Sequence, residues 1–139
     1  MARILAIDYG EKRTGLAVTD VLQIISNGLE TVETSDLMDF LKSYLAQEEV
    51  EAVVIGLPTG LNNELSAVES SIQIFINKFK ARYPKIPVIR EDERFTSSIA
   101  AASMIAGGVK KSKRRNKGLL DKISATLILQ SYLERKQRL

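Results

Sequence analysis

Apolar positions along the chain switch between two periods, and the switches mark its elements. Ile4–Ile7 is a short apolar run that stops at Asp8-Tyr9-Gly10, and Gly15–Thr19 is a second. The polar turn Glu11-Lys12-Arg13 lies between them, a pattern that predicts a hairpin. Residues 23 to 32 alternate loosely and predict a third strand. Ser35 or Asp36 then stands where a helix cap is needed, because Leu37, Phe40, Leu41, Tyr44 and Leu45 follow helical spacing. Ala52–Ile55 is apolar without interruption and is stopped by Gly56-Leu57-Pro58, which suits a strand covered on both faces. Val68, Ile72, Phe75, Ile76, Phe79 and Tyr83 mark a second amphipathic helix that ends before Pro84. Pro87–Arg90 predicts the last strand. Thr96 or Ser97 can cap a small-residue helix running to Ala106, with Gly107-Gly108 as its stop. Residues 109 to 118 read as a loop, after which Asp121 opens a final helix to about Arg135. The inward stripe of that helix is Ala125, Ile128, Leu129 and Tyr132.

Three meandering strands followed by helix, strand, helix, strand and two helices predict an α/β fold. Its sheet is mixed and five-stranded, with the first, fourth and fifth strands parallel and helices on both faces. At 139 residues the chain is expected to form one domain over residues 1–139 with a core large enough to need no staples. The apolar runs are too short for a membrane span, and Met1-Ala2-Arg3-Ile4 lacks the apolar region of a signal peptide. A soluble, cytoplasmic protein with no membrane partner is the expectation.

The chain has no cysteine and no histidine. Disulfides, thiolate nucleophiles, thiolate metal sites and the commonest general base are thereby excluded. Any hydrolysis must rest on carboxylates, hydroxyls, lysines or an oxygen-bound metal. Charge is divided unevenly: residues 1–76 hold 4 Lys/Arg against 12 Asp/Glu, a net of −8, and residues 77–139 hold 16 against 5, a net of +11. Such asymmetry within one small domain suits a polyanionic partner, nucleic acid first among them, although lysines also serve simply to solvate helix surfaces.

Ligands of open α/β sheets collect at the carboxyl ends of the parallel strands. Asp8 ends the first strand, Glu91-Asp92-Glu93 ends the last, and Asp121 starts the final helix on the same stripe as Ala125 and Ile128. An unpaired inward carboxylate is costly, and a shared cation removes that cost. Carboxylate oxygens suit Mg²⁺ or Mn²⁺, and two such ions about 4 Å apart support phosphodiester cleavage. Each acid also has a structural explanation: Asp121 as a helix N-cap, Asp8 as a turn-former before Gly10, Glu93 as an ion-pair partner of Arg90 or Arg94. Lys12, Arg13 and Arg94 stand beside these acids and can contact phosphate or pair with Asp8, Asp20 or Glu93. The run Lys110, Lys111, Lys113, Arg114, Arg115 and Lys117 immediately precedes Asp121 and reads as a phosphate clamp or as a solvated loop.

The same residues carry a family resemblance over nearly the whole chain. Asp8-Tyr9-Gly10 followed by Lys12–Asp20 resembles the opening motif of the YqgF family, and Gly56-Leu57-Pro58 resembles its fourth-strand motif. Asp92-Glu93-Arg94-Phe95-Thr96 is similar to its Asp-Glu-Arg signature, and Asp121–Ala125 with Leu127–Leu133 to its last helix. Two departures are visible: Thr59–Glu64 places glycine early in the turn after Pro58, and Ser124 stands where a small apolar residue is common. The resemblance implies a ribonuclease-H-like fold and a bacterial cytoplasmic protein. It also implies an acidic, metal-holding triad at Asp8, Glu93 and Asp121, with Asp92 as the substitute for Glu93. Family members are described as Holliday-junction resolvases and as nucleases maturing the 5′ end of pre-16S rRNA.

Three functions compete on these grounds. One is a divalent-metal-dependent endonuclease on structured nucleic acid, with an RNA precursor favoured over branched DNA by resemblance alone, acting as a monomer or weak dimer. Another is a nucleotide enzyme of the actin and sugar-kinase type, which also opens with Asp-x-Gly but needs two such domains. The third is a catalytically silent nucleic-acid-binding module, which retention of all three acids disfavours.

Overall fold

The computed structural model describes residues 2–58, 68–92 and 117–137. In chain order these form β1 (Arg3–Asp8), β2 (Arg13–Thr19), β3 (Ser26–Glu33), a single 3₁₀ turn (Thr34–Asp36), α1 (Leu37–Gln47), β4 (Val50–Leu57), α2 (Glu69–Arg82), β5 (Val88–Asp92) and α3 (Lys117–Gln137). The strands make one sheet in the order β3-β2-β1-β4-β5. β1 runs parallel to β4, and β4 to β5, while β2 is antiparallel to both β1 and β3. This is the mixed five-stranded sheet with helices on both faces that the hydrophobic pattern predicts.

Alternation along the strands sorts the core into two layers. Leu5, Ile7, Leu16, Val18, Val53 and Ile55 face one side, where Leu37 and Leu41 of α1 and Ile72, Phe75, Ile76 and Phe79 of α2 cover them. Ile4, Ala6, Ala17 and Val54 face the other side, covered by Ala125, Ile128, Leu129 and Leu133 of α3. The second layer has alanines, Ala6 and Ala17, on neighbouring β1 and β2, so α3 lies close against these two strands. Asp8 continues the Ile4, Ala6 series and Arg13 and Gly15 the Ala17 series, which puts all three on the α3 face.

Several boundaries differ from the sequence reading for physical reasons. Arg13 belongs to β2 rather than to the turn, because its ladder with Glu33 of β3 extends that far. Asp36 precedes α1, but no side chain makes a capping hydrogen bond there. Asp121 does not open the last helix: α3 begins at Lys117, so Asp121 lies in its second turn. Of the predicted stripe, Ala125, Ile128 and Leu129 are fully buried and Tyr132 only partly, and Leu133 and Ser124 extend it. The proposed helix from Thr96 or Ser97 to Ala106, its Gly107-Gly108 stop, the Thr59–Glu64 turn and residues 109–116 lie outside the described residues.

Candidate active site

The site forms where β1 ends, β2 begins and α3 passes over both. Asp8 and Gly15 are directly paired across the β1–β2 ladder. A β-carbon on Gly15 would overlap the backbone carbonyl of Asp121 and crowd the Lys122 nitrogen. Glycine here is therefore a packing requirement: α3 reaches β2 backbone to backbone, and that contact carries Asp121 to the neighbourhood of Asp8. Arg13, two residues before Gly15 and on the same face, donates from Nε to Asp121 Oδ2 at 3.2 Å. The two side chains keep 38% and 27% of their exposure, so the pair is open enough to meet a ligand. Both halves of the sequence thus meet where Arg13 pairs with Asp121, on the face of the β1–β2 ladder that carries Asp8.

The turn that aims Arg13 is fixed by its own bonds. Thr34 donates its hydroxyl to the Gly10 carbonyl at 2.6 Å and shares a 2.9 Å hydrogen bond with the buried Thr14 hydroxyl. Its backbone N–H donates to the Lys12 carbonyl at 2.9 Å. A β-carbon on Gly10 would strike the Arg13 carbonyl. Lys12 and Arg13 accordingly leave the turn from a braced backbone.

Neighbouring charges have partners of their own. Asp20, a possible partner of Arg13, instead accepts backbone N–H groups of Leu22, Ile24 and Ile25. Those bonds, chiefly from Ile25 and Ile24, hold its carboxyl below the usual range. Arg90 pairs with Glu69: its Nη2 donates to Glu69 Oε1 at 2.7 Å and to the Gly56 carbonyl at 2.9 Å. Glu91 is buried on the α3 face between Arg135 Nη2 at 2.6 Å and Ser131 Oγ at 3.3 Å. Ser131 is ten residues, about 15 Å along the helix, from Asp121, so Glu91 anchors the far half of α3 and not the cluster.

Glu93, Arg94, Lys110, Lys111, Lys113, Arg114 and Arg115 lie outside the described residues, as does the Lys117 side chain. Among the described residues no group of three metal-binding side chains occurs. Asp8 and Asp121 together offer an all-carboxylate donor set of the kind hard divalent cations prefer, with Arg13 already on one Asp121 oxygen. The sequence reading missed Gly15, which it treated as one residue of an apolar run. A glycine inside a strand is the signal that could have flagged the close approach.

A family model described as RuvX, Holliday junction resolvase, matches residues 2–135. The chain belongs to the RuvX family. Similar RuvX relatives include proteins from Bacteroides fragilis, 55% identical over 137 residues, and Phocaeicola vulgatus, 56% identical over 137 residues. Another, from Flavobacterium johnsoniae, is 53% identical over 137 residues. Each comparison spans 99% of this chain and 99% of the relative, and all three relatives carry the provisional name pre-16S rRNA nuclease. Among solved structures, Thermus thermophilus RuvC in complex with a Holliday junction substrate superposes with a TM-score of 0.54 at 18% identity, covering 96% of this chain and 97% of that one. A second Thermus thermophilus RuvC structure gives 0.52 at 15% identity, with 97% and 96% covered. The RuvX chain therefore has the ribonuclease-H-like fold that its sequence resemblance implies.

Proposed function

We propose that this chain is a divalent-metal-dependent endonuclease of structured nucleic acid whose reaction is 5′-end processing of pre-16S rRNA. The observation that carries the reading is the placement of Asp121. It lies within α3 and not at its cap, seated on Gly15, the ladder partner of Asp8, with Arg13 bound to it. A capping role would explain none of this. The rRNA part rests on the name shared by relatives above half identity.

Asp8 and Asp121 would hold Mg²⁺ or Mn²⁺, and we assign the third ligand to Glu93. The family resemblance of Asp92-Glu93-Arg94 favours Glu93 for that place, with Asp92 as its substitute. When bound, such an ion polarises a phosphoryl oxygen and lowers the pKa of a water. Arg13 answers the negative charge that grows on the scissile phosphate and keeps Asp121 oriented meanwhile. Lys12 and Arg94 extend that contact, and Lys110, Lys111, Lys113, Arg114, Arg115 and Lys117 track the backbone of the incoming strand. Residues 1–139 act as a single nuclease domain, in the cytoplasm, as a monomer or weak dimer. No helix among the described residues is long and apolar enough to cross a membrane.

The family description supports a second reading, a resolvase of four-way DNA junctions. Purified protein given an RNA spanning the 5′ end of pre-16S rRNA and a four-way DNA junction, each with Mg²⁺, Mn²⁺ or chelator, separates the two. Metal-dependent cuts in the RNA are expected. Cuts in the junction alone would establish the resolvase, and binding without cuts in either would establish a silent binding module.

A further inference from the structure

Tyr9 is the neighbour of Asp8, yet alternation turns it to the opposite face of the sheet, where it packs against the α2 side. Its ring lies 5.5 Å from that of Phe75, tilted by 35°. On this face a cavity of about 230 Å³ opens between the start of α1 and the flank of α2, lined by Tyr9, Ser35, Met38, Ser71, Ile74 and Lys78 among others. Ser71, Ile74, Phe75 and Lys78 follow the spacing i, i+3, i+4, i+7, so one face of α2 forms the wall.

The chemistry of the lining is specific. Ile74 is 57% exposed, an apolar side chain at the rim that the core does not use. The Thr34 hydroxyl is consumed by Gly10 and Thr14, whereas the hydroxyls of Ser35 and Ser71 make no hydrogen bond among the described residues. The described lining contains one cation, Lys78, and no acid. A flat aromatic surface, spare hydroxyls and one exposed cation fit a planar, hydrogen-bonding group attached to a phosphate. The volume falls below the roughly 300–1,000 Å³ of cavities built for larger small molecules.

We propose that this cavity is a base-binding subsite that takes one unstacked nucleobase of the substrate strand, adjacent to the phosphate that meets Asp8. This rests on the nucleic-acid reading above. Consecutive Cα atoms are about 3.8 Å apart, so Asp8 and Tyr9 flank the end of β1 within the span of a single nucleotide. A strand crossing that end presents its phosphate to the Asp8 face and its base to the Tyr9 face. Tyr9 stacks on the base, Ser35 and Ser71 bond its edge, and Lys78 holds the next phosphate. Duplex bases are unavailable to such a pocket, so the subsite selects single-stranded or frayed substrate.

The test is direct binding of single-stranded RNA carrying 2-aminopurine at successive positions, in the Asp8→Asn protein so that no cleavage intervenes. One position is expected to change its emission sharply on binding. Tyr9→Leu should abolish that change and weaken affinity about tenfold, while Tyr9→Phe retains both. Ser71→Trp, which plugs the cavity from the helix surface, should reproduce Tyr9→Leu even if the latter folds poorly. Lys78→Ser, at an exposed position, should lower the log–log salt slope by about 1. An emission change at no position, or one that survives both Tyr9→Leu and Ser71→Trp with affinity within twofold, would overturn the subsite. The readout is binding alone, so a protein that never cuts RNA would refute the nuclease reading and still decide this one.

Discussion

Gly15 and Asp121 touch backbone to backbone, and a β-carbon on Gly15 would overlap the Asp121 carbonyl. Because Gly15 is the ladder partner of Asp8, the distance from α3 to the end of β1 is set at this contact. Gly15→Ala must push a helix and not a flexible side chain. It should destabilise the protein by about 3 kcal/mol, lowering Tm by about 10 °C. At temperatures where the variant remains folded, cleavage should still fall at least tenfold, because Asp121 is displaced. Calorimetry beside a cleavage assay checks both parts, and a variant with native Tm and native turnover would show that α3 can shift freely.

Arg13 gives the converse case. Its pair with Asp121 is partly exposed, so it contributes little to stability, about 1 kcal/mol at most. Its role as counter-charge predicts a far larger kinetic effect. Arg13→Gln should leave Tm nearly unchanged and reduce kcat by about 10²-fold, with KM affected less.

Glu69 and Arg90 make the pH dependence of folding predictable. Glu69 is buried, and its hydrogen bonds from Arg90, more than that from Gln73, hold its carboxyl below the ordinary value of 4.5. A carboxyl depressed by folding stabilises fully above its unfolded pKa, and that share is lost as pH falls through the lower folded value. Acid unfolding of the native protein should therefore carry a component below pH 4.5 that Glu69→Gln lacks. Glu69→Ala also leaves Arg90 short of its charge partner and should cost about 3 kcal/mol at neutral pH. Urea unfolding from pH 3 to pH 7 measures both.

Binding and chemistry should separate at the basic run. Lys110, Lys111, Lys113 and Arg114 changed to serine should weaken nucleic-acid affinity and flatten its log–log salt dependence by about 3 units. Metal binding at the acids should be nearly unchanged. An unaltered salt slope would make the run an ordinary solvated loop.

The sheet was legible in the sequence because its central strands β1 and β4 are apolar through their middles and its helices keep their spacing. Ile4–Ile7 and Ala52–Ile55 can only be buried strands, and their burial is complete apart from a trace at Ala52. Asp8 and Asp121 were legible as site candidates because both stand at the margins of apolar stripes. What local pattern could not show is partner choice across the fold. Asp20 turns back to its own loop, Arg90 turns to Glu69, and Glu91 is tied to Arg135, pairings fixed by which elements pack together. The start of α3 was also misplaced: Asp121 looks like a cap in sequence, but the helix extends back through Leu119 and Leu120 to Lys117. The strand-internal glycine at position 15 had a meaning only α3 could supply.

The most direct test is cleavage of a 5′ pre-16S RNA by purified wild type, Asp8→Asn and Asp121→Asn, each with Mg²⁺ and with chelator, while RNA affinity is measured in parallel. Each substitution keeps the shape of the side chain and removes one anionic ligand. Wild type should cut only with metal, and both variants should bind RNA with near-native affinity yet cut it at least 10³-fold more slowly. Turnover by either variant within tenfold of wild type, or wild-type cleavage undiminished by chelator, would contradict an acidic metal site built from Asp8 and Asp121.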